Sequence, residues 1–471
     1  MQYISTRGQA PKIGFCDVLL AGLARDGGLY VPETWPKLGE SAVGASAASA
    51  KNSASASYAQ KAASIMSPFV GAEIDQQIFE QLCVDAYSTF RHPEVAPLVE
   101  IGPNEYLLEL FHGPTLAFKD VALQLVGKLF DHVLMQRGQR VMIVGATSGD
   151  TGGAAFDGVA SCRNVDIVML YPNNRVSDVQ RRQMTTLTAP NVHAVAVDGT
   201  FDDCQDLVKA MFNDQKFRDA NQLSAVNSIN WVRVMAQVVY YVTAIEKLGR
   251  SAVFSVPTGN FGNVLAGWIA KQMGAQIEGF VVASNTNDIL TRFFESKQMS
   301  ANEVVPTLSP SMDIQVSSNF ERLLFETNNR DGAATAKQLT DFRATGKLEV
   351  AASVYQKWFE GVFVGRRCND EQTLATMQDV YKQSAMLIDP HTAVGLSAAR
   401  QSAGVDYPKN MPMITLATAH PAKFPDAVRR ATGQTPKLPE HLADLMSRPE
   451  RSVSLPNDLG AVQAFVASCR K

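Results

Sequence analysis

A chain of 471 residues, 46% of them hydrophobic, is too long for one hydrophobic core. Its 43 basic and 46 acidic side chains leave a net charge of −3, which excludes capture of nucleic acid or an anionic membrane by the overall field. The six cysteines (Cys16, Cys83, Cys162, Cys204, Cys368 and Cys469) form no CxxC pair and no Cys/His cluster, so the pattern is neither a zinc site nor a disulfide framework. Met1 to Gly8 lacks an apolar leader core and no stretch approaches a membrane span. A cytoplasmic protein is the expectation, with a small-molecule substrate and neither nucleic acid nor membrane as partner.

In chain order, the first stretch reads as a small domain. It holds a helix over Phe15 to Ala24, a turn at Asp26-Gly27-Gly28 and an extended Leu29 to Pro32. The Ala/Ser-rich segment Ser41 to Ser57 has little to bury and reads as a mobile spacer. Beyond Glu100 short apolar strands alternate with helices. Strands are predicted over Gln139 to Ala146, Val165 to Tyr171, Val192 to Val197, Ala252 to Val256, Gly279 to Ala283 and Met413 to Thr418. Helices are predicted over Asp150 to Val159, Val176 to Leu187, Asp202 to Asn213, Asn263 to Met273, Asp288 to Ser296 and Pro425 to Thr432. Such alternation implies parallel sheets covered on both faces. The more polar span from Asn328 to Val380 has no legible organisation.

In parallel sheets of this kind ligands sit beyond the strands' carboxyl ends. Three turns there carry unusual residues. Gly145 to Gly153 offers hydroxyls at Thr147, Ser148 and Thr151 and small residues at a helix start, a combination suited to a carboxylate or phosphate. An ordinary turn with a Ser or Asp cap fits equally well. Pro257 to Asn263 has Gly259 and Gly262 for close backbone approach, with Asn260 and Asn263 able to cap, although a Gly-Asn turn is more often only a turn. Leu416 to Lys423 places Thr418 at a strand end, and His420 there reads as a structural histidine. Upstream, Gly113-Pro114 breaks the chain before an amphipathic helix from Lys119 to Met135. Lys119 therefore stands at a positive helix end beside the apolar Leu116-Ala117-Phe118, where an ammonium has reason to lose its proton and act as a nucleophile.

Taken together, Phe111-His-Gly-Pro-Thr-Leu-Ala-Phe-Lys-Asp120, Gly149-Asp-Thr-Gly and Gly259-Asn-Phe-Gly resemble the long-type threonine synthases of bacteria and fungi. That family is a branch of the tryptophan-synthase-β-like, fold type II enzymes dependent on pyridoxal phosphate (PLP). Tyr3 to Gly8, Asp26 to Pro32 and Thr418 to Phe424 are similar as well, so the likeness runs through almost the whole chain. The resemblance implies an α/β fold of two lobes with parallel-rich sheets plus an N-terminal domain. The implied divisions are 1–98 (N-terminal domain), 99–130 with 226–445 (large PLP-binding lobe), 131–225 (small lobe) and 446–471 (C-terminal tail). It implies conversion of O-phospho-L-homoserine and water to L-threonine and phosphate, by a monomer or homodimer. Lys119 would carry the cofactor and move protons at Cα and Cβ. Phe118, Gly259, Asn260, Phe261, Gly262 and Thr418 would bind PLP, with Thr418 at the pyridine nitrogen. Thr147, Ser148, Gly149, Asp150 and Thr151 would bind the substrate carboxylate.

Arg175, Arg181 and Arg182 could meet the substrate phosphate, but a solvated basic helix face is as good a reading. Other readings stay open. A phospholyase releasing 2-oxobutyrate, or a serine or threonine dehydratase, would use the same scaffold. A silent metabolite binder would use the same turns without Lys119.

Overall fold

The computed structural model describes residues 1–39 and 56–470. Two sheets organise it. The larger has six strands in the order Phe363–Arg367, Ile277–Ser284, Ala252–Pro257, Met413–Ala417, Glu105–Glu109 and Leu98–Gly102. All its pairings are parallel except the last, an antiparallel hairpin. The smaller has five parallel strands, in the order Val453–Pro456, Val192–Asp198, Val165–Pro172, Val141–Ala146 and Leu223–Ser224. Strands such as Val165–Pro172 and Ala252–Pro257 are buried along their whole length, because helices cover both faces of each sheet.

Two long helices, Lys119–Arg137 and Trp231–Leu248, pack against each other. The first was expected to be amphipathic. Instead its first three turns are buried almost all round, as a helix packed on every side must be. It meets the Asp150–Val159 helix through Gly127 and Gly158, where the backbones approach so closely that neither position could take a side chain without movement. The first residues of these two helices are Lys119 and Asp150. Their packing therefore sets the distance between those side chains.

The N-terminal segment pairs Tyr3–Ser5 with Tyr30–Pro32 and is fastened to the Phe320–Thr327 helix by Arg322. This buried guanidinium donates to the Tyr30 carbonyl (2.9 Å), to the Ile229 carbonyl (2.7 Å) and to Asn319. The expected helix from Phe15 stops at Ala21, since Gly22 takes φ +64° and turns the chain. The helix expected over Val176 to Leu187 is shorter, Asp178–Thr185, with Ser177 as its cap. The Ala/Ser-rich segment lies outside the described residues except for its end, where Ser57 caps the Tyr58–Val70 helix. The illegible span resolves into helices Gly332–Thr345, Ala352–Trp358 and Asp370–Ser384 and the edge strand Phe363–Arg367. Residues after 446 add a strand to the small sheet and pack the Leu459–Ser468 helix against its core. Among the described residues no helix is long and apolar enough to cross a membrane.

Candidate active site

Chain segments carrying Lys119, Gln180, Ser311 and Lys423 converge on Asp150. Lys119 begins its helix three residues after Leu116, a bulky residue held at φ +63°. The strain persists because the turn is pinned. The Asp120 carboxylate accepts from the Thr115 N–H (2.8 Å) and hydroxyl (2.6 Å), and the Phe118 N–H donates to the Thr418 carbonyl (2.9 Å). Lys119 Nζ lies 5.0 Å from the centre of the Phe118 ring and 3.2 Å from Asp150 Oδ2.

Asp150 is the hub. Besides Lys119 it contacts Lys423 Nζ (2.9 Å) and accepts from Gln180 Nε2 (2.9 Å) and Ser311 Oγ (3.1 Å). Burial opposes its ionisation, yet Lys119 and then Lys423 more than offset that, and the carboxyl is held well below the usual range. Lys119 is pushed below its ordinary value by burial, against the pull of Asp150 and with help from the cations Lys423 and Arg233. The site thus holds a lysine biased toward the neutral amine, the state in which it is a nucleophile.

The expected residues divide by what their side chains do. The Thr147 hydroxyl is engaged within its own loop, accepting from the N–H groups of Gly149 and Gly152 (2.9 Å each). Ser148 is exposed and Thr151 half-buried, so their hydroxyls remain available. Gly149, at φ +137°, lets Gln180 pack close over the loop. In the second turn a Cβ on Gly259 would stand 2.7 Å from the Ser311 carbonyl. Phe261 takes φ +60° at the start of the Gly262–Met273 helix, its ring buried against Phe320. The Asn260 carbonyl accepts from Asn319 N (3.0 Å) and Nδ2 (3.1 Å), which turns it out of the cradle. Thr418 is buried at its strand end, and its hydroxyl has no partner among the described residues. His420 is structural as expected: its Nδ1 accepts from Ala422 N, and burial pushes its pKa down to about 4.

Several residues escaped the sequence reading. Lys423 is fully buried and also donates to the Thr115 carbonyl (2.8 Å) and Gln183 Oε1 (3.1 Å). His391 accepts from Ser311 N (3.2 Å) through Nε2 and meets Asp389 (2.8 Å) through Nδ1, so Nδ1 bears the proton and the Ser311 turn is fixed. Arg233 is 96% buried, donates to the Val226 carbonyl (3.0 Å) and has no carboxylate partner among the described residues. By contrast Arg181 pairs with Glu450 and Asp178, and Arg182 with Glu450 and the Arg448 carbonyl. These two arginines hold the C-terminal segment and are not free for an anion.

A buried polar atom left without a partner tests whether a phosphorylated cofactor fits. Asn263 Nδ2, in the first turn after the glycine cradle, has none, although its Oδ1 accepts from Tyr240 and Tyr241. An unmet donor near a helix N-terminus and a close-approach backbone suits a phosphate. With a buried, deprotonation-prone lysine opposite, the fold and site define a fold type II, PLP-dependent enzyme.

Comparison with known proteins agrees in each part of the chain. Residues 92–345 match the family model described as pyridoxal-phosphate dependent enzyme, residues 2–87 that of the threonine synthase N terminus, and residues 392–466 that of the threonine synthase C-terminal region. The chain is 52% identical to threonine synthase of Pseudomonas aeruginosa, over 99% of this chain and 98% of that one. Among solved structures it resembles PLP-bound threonine synthase from Brucella melitensis (TM-score 0.94, 49% identity, all of both chains). It also resembles the yeast threonine synthase (TM-score 0.92, 38% identity, 99% of this chain and 98% of that one). The chain belongs to the threonine synthase family.

Proposed function

We propose that this protein converts O-phospho-L-homoserine and water to L-threonine and inorganic phosphate. What carries the reading is the full-length family match combined with a buried Lys119 whose surroundings favour the free amine. When bound there, PLP supplies the electron sink that stabilises negative charge at substrate carbons. Lys119 would hold the cofactor covalently and, once released by the substrate amine, carry protons at Cα and Cβ. The backbone N–H groups from Gly259 to Gly262, with Asn263 Nδ2, would hold the cofactor phosphate. Thr418 would offer its free hydroxyl to the ring nitrogen, and Phe118 would flank the ring. For the substrate carboxylate we assign the Thr147–Thr151 loop through the hydroxyls of Ser148 and Thr151 and its backbone. Thr147 shapes that loop, and Gly149 and Asp150 set its backbone and charge.

A phosphate ester is the substrate class that the buried, anion-free Arg233 favours. The loop before its helix is tied to the cradle by Asn319, whose Nδ2 donates to both the Ser228 and Asn260 carbonyls (3.0 and 3.1 Å). A guanidinium buried without an anion is costly unless a ligand completes it. We therefore assign the substrate phosphate to Arg233. The six unpaired, buried cysteines favour a reducing compartment, in keeping with the cytoplasm.

The test is to incubate the PLP-loaded protein with O-phospho-L-homoserine and identify the carbon product by mass spectrometry. Threonine in step with phosphate supports the proposal. Appearance of 2-oxobutyrate would move the activity to a phospholyase and leave Lys119 in place.

A further inference from the structure

Lys119 and Lys423 reach one carboxylate from distant parts of the chain, but they are held very differently. Lys119 Nζ has a single hydrogen-bond partner, Asp150 Oδ2. Lys423 Nζ has three contacts: Asp150 Oδ1 (2.9 Å), the Thr115 carbonyl (2.8 Å) and Gln183 Oε1 (3.1 Å). An ammonium has three donors, so Lys423 is saturated where it stands. Its clamps are themselves fixed, since Gln183 Nε2 donates to the same Thr115 carbonyl (3.0 Å) and Asp120 pins the Thr115 turn. One lysine is free to leave Asp150 and the other is not.

The charges follow the same asymmetry. With both lysines protonated, the trio carries one excess positive charge. With Lys119 neutral, Lys423 and Asp150 balance each other. Without Lys423, a neutral Lys119 would leave Asp150 a buried carboxylate with no cation in contact, and Lys119 would be held protonated instead. The other charged or titratable groups around the trio do not replace it. Arg233, on the Trp231–Leu248 helix, acts on Lys119 only through its field. His391, on the Pro390–Ser402 helix, is committed to Asp389 and the Ser311 N–H. Asp120 is occupied by Thr115.

We infer that Lys423 is a positioning residue that serves as the standing counter-cation of Asp150, so that Lys119 can give up its proton and become a nucleophile without leaving that carboxylate unpaired. The inference rests on the role proposed for Lys119. It also assigns a function to Thr115 and Gln183, which keep Lys423 from following substrate or solvent.

The test uses full-length protein stripped of cofactor and reads how fast the absorbance band of lysine-bound PLP forms as a function of pH. That rate follows the neutral fraction of Lys119, and the titration of PLP itself cancels between variants. Lys423→Gln should move the midpoint up by about one pH unit or more, roughly a tenfold slowing below it. Lys423→Arg, which keeps the charge, should return the midpoint toward wild type. A merely structural role would change amplitude or stability and leave the midpoint in place. Should Lys423→Gln fail to fold, the same comparison is made with Lys423→Met, which keeps the apolar stem and carries no charge. That variant should again have the higher midpoint. Midpoints that coincide in the folded pair overturn the inference. If wild-type protein forms no such band, it is the Lys119 assignment that falls.

Discussion

Replacing Gly127 by alanine would put a methyl carbon 1.8 Å from the Gly158 carbonyl oxygen and 2.7 Å from its carbon. Both are backbone atoms of a buried helix, so no side chain can swing aside. Ordinary contact requires the Lys119–Arg137 and Asp150–Val159 helices to part by about 1.5 Å, an overpacking cost of about 3 kcal/mol. Parting them also lengthens the 3.2 Å contact between Lys119 and Asp150 at their starts. Thermal unfolding should therefore show a fall in Tm of several degrees. PLP uptake and turnover should fall further than in an equally destabilised variant elsewhere. Gly138→Ala is the control, since nothing lies within 4 Å of its added carbon and only its left-handed backbone is penalised, by about 1 kcal/mol. If Gly127→Ala melts with wild type and keeps its activity, the claim that this crossing sets the catalytic distance is wrong.

Other perturbations reach different parts of the account. Arg233→Met should raise KM for O-phospho-L-homoserine on the order of 10- to 100-fold, with PLP content unchanged, as loss of a charge-assisted phosphate contact requires. An unchanged KM removes Arg233 from the phosphate site. Gly259→Ala must push back the Ser311 carbonyl 2.7 Å away, and equilibrium titration should show PLP binding at least about tenfold weaker. Buried Asp120 has its pKa raised to about 7, chiefly by desolvation, against an unfolded value near 4. The folded state then keeps a proton that the unfolded chain releases between those values. Its contribution is complete below about pH 4 and lost as pH rises through about 7, on the order of 2–4 kcal/mol. The Tm difference between wild type and Asp120→Asn should track that loss, and a pH-independent difference would show that Asp120 does not titrate there.

How much of this was legible depended on how local the cause was. Parallel strands buried on both faces are short apolar runs, so Val165–Pro172 and Val192–Asp198 could be read almost to the residue. The Asp150–Val159 helix was read to the residue because its turn chemistry and apolar stripe lie together in sequence. The edge strand Phe363–Arg367 was missed, since Gly365 and two arginines dilute its pattern. Lys119 could be found from its place at a helix start after a chain-breaking turn. Lys423 could not, although it lies within the Thr418 to Phe424 motif. Its meaning comes from Asp150 and Gln183, far away in the chain. Arg181 and Arg182 looked free because Glu450, their partner, is some 270 residues on. Arg233 sits in the apolar run Trp231-Val-Arg-Val-Met, and a charge in such a run was the signal that could have exposed it.

Lys119, and not the more deeply buried Lys423 beside it, is assigned as the carrier of the cofactor. Borohydride reduction of the PLP-loaded protein followed by peptide mapping decides the matter. The phosphopyridoxyl group should be found on the peptide that contains Lys119 and be absent after Lys119→Ala. Label on Lys423, or trapping that survives Lys119→Ala, would contradict the account.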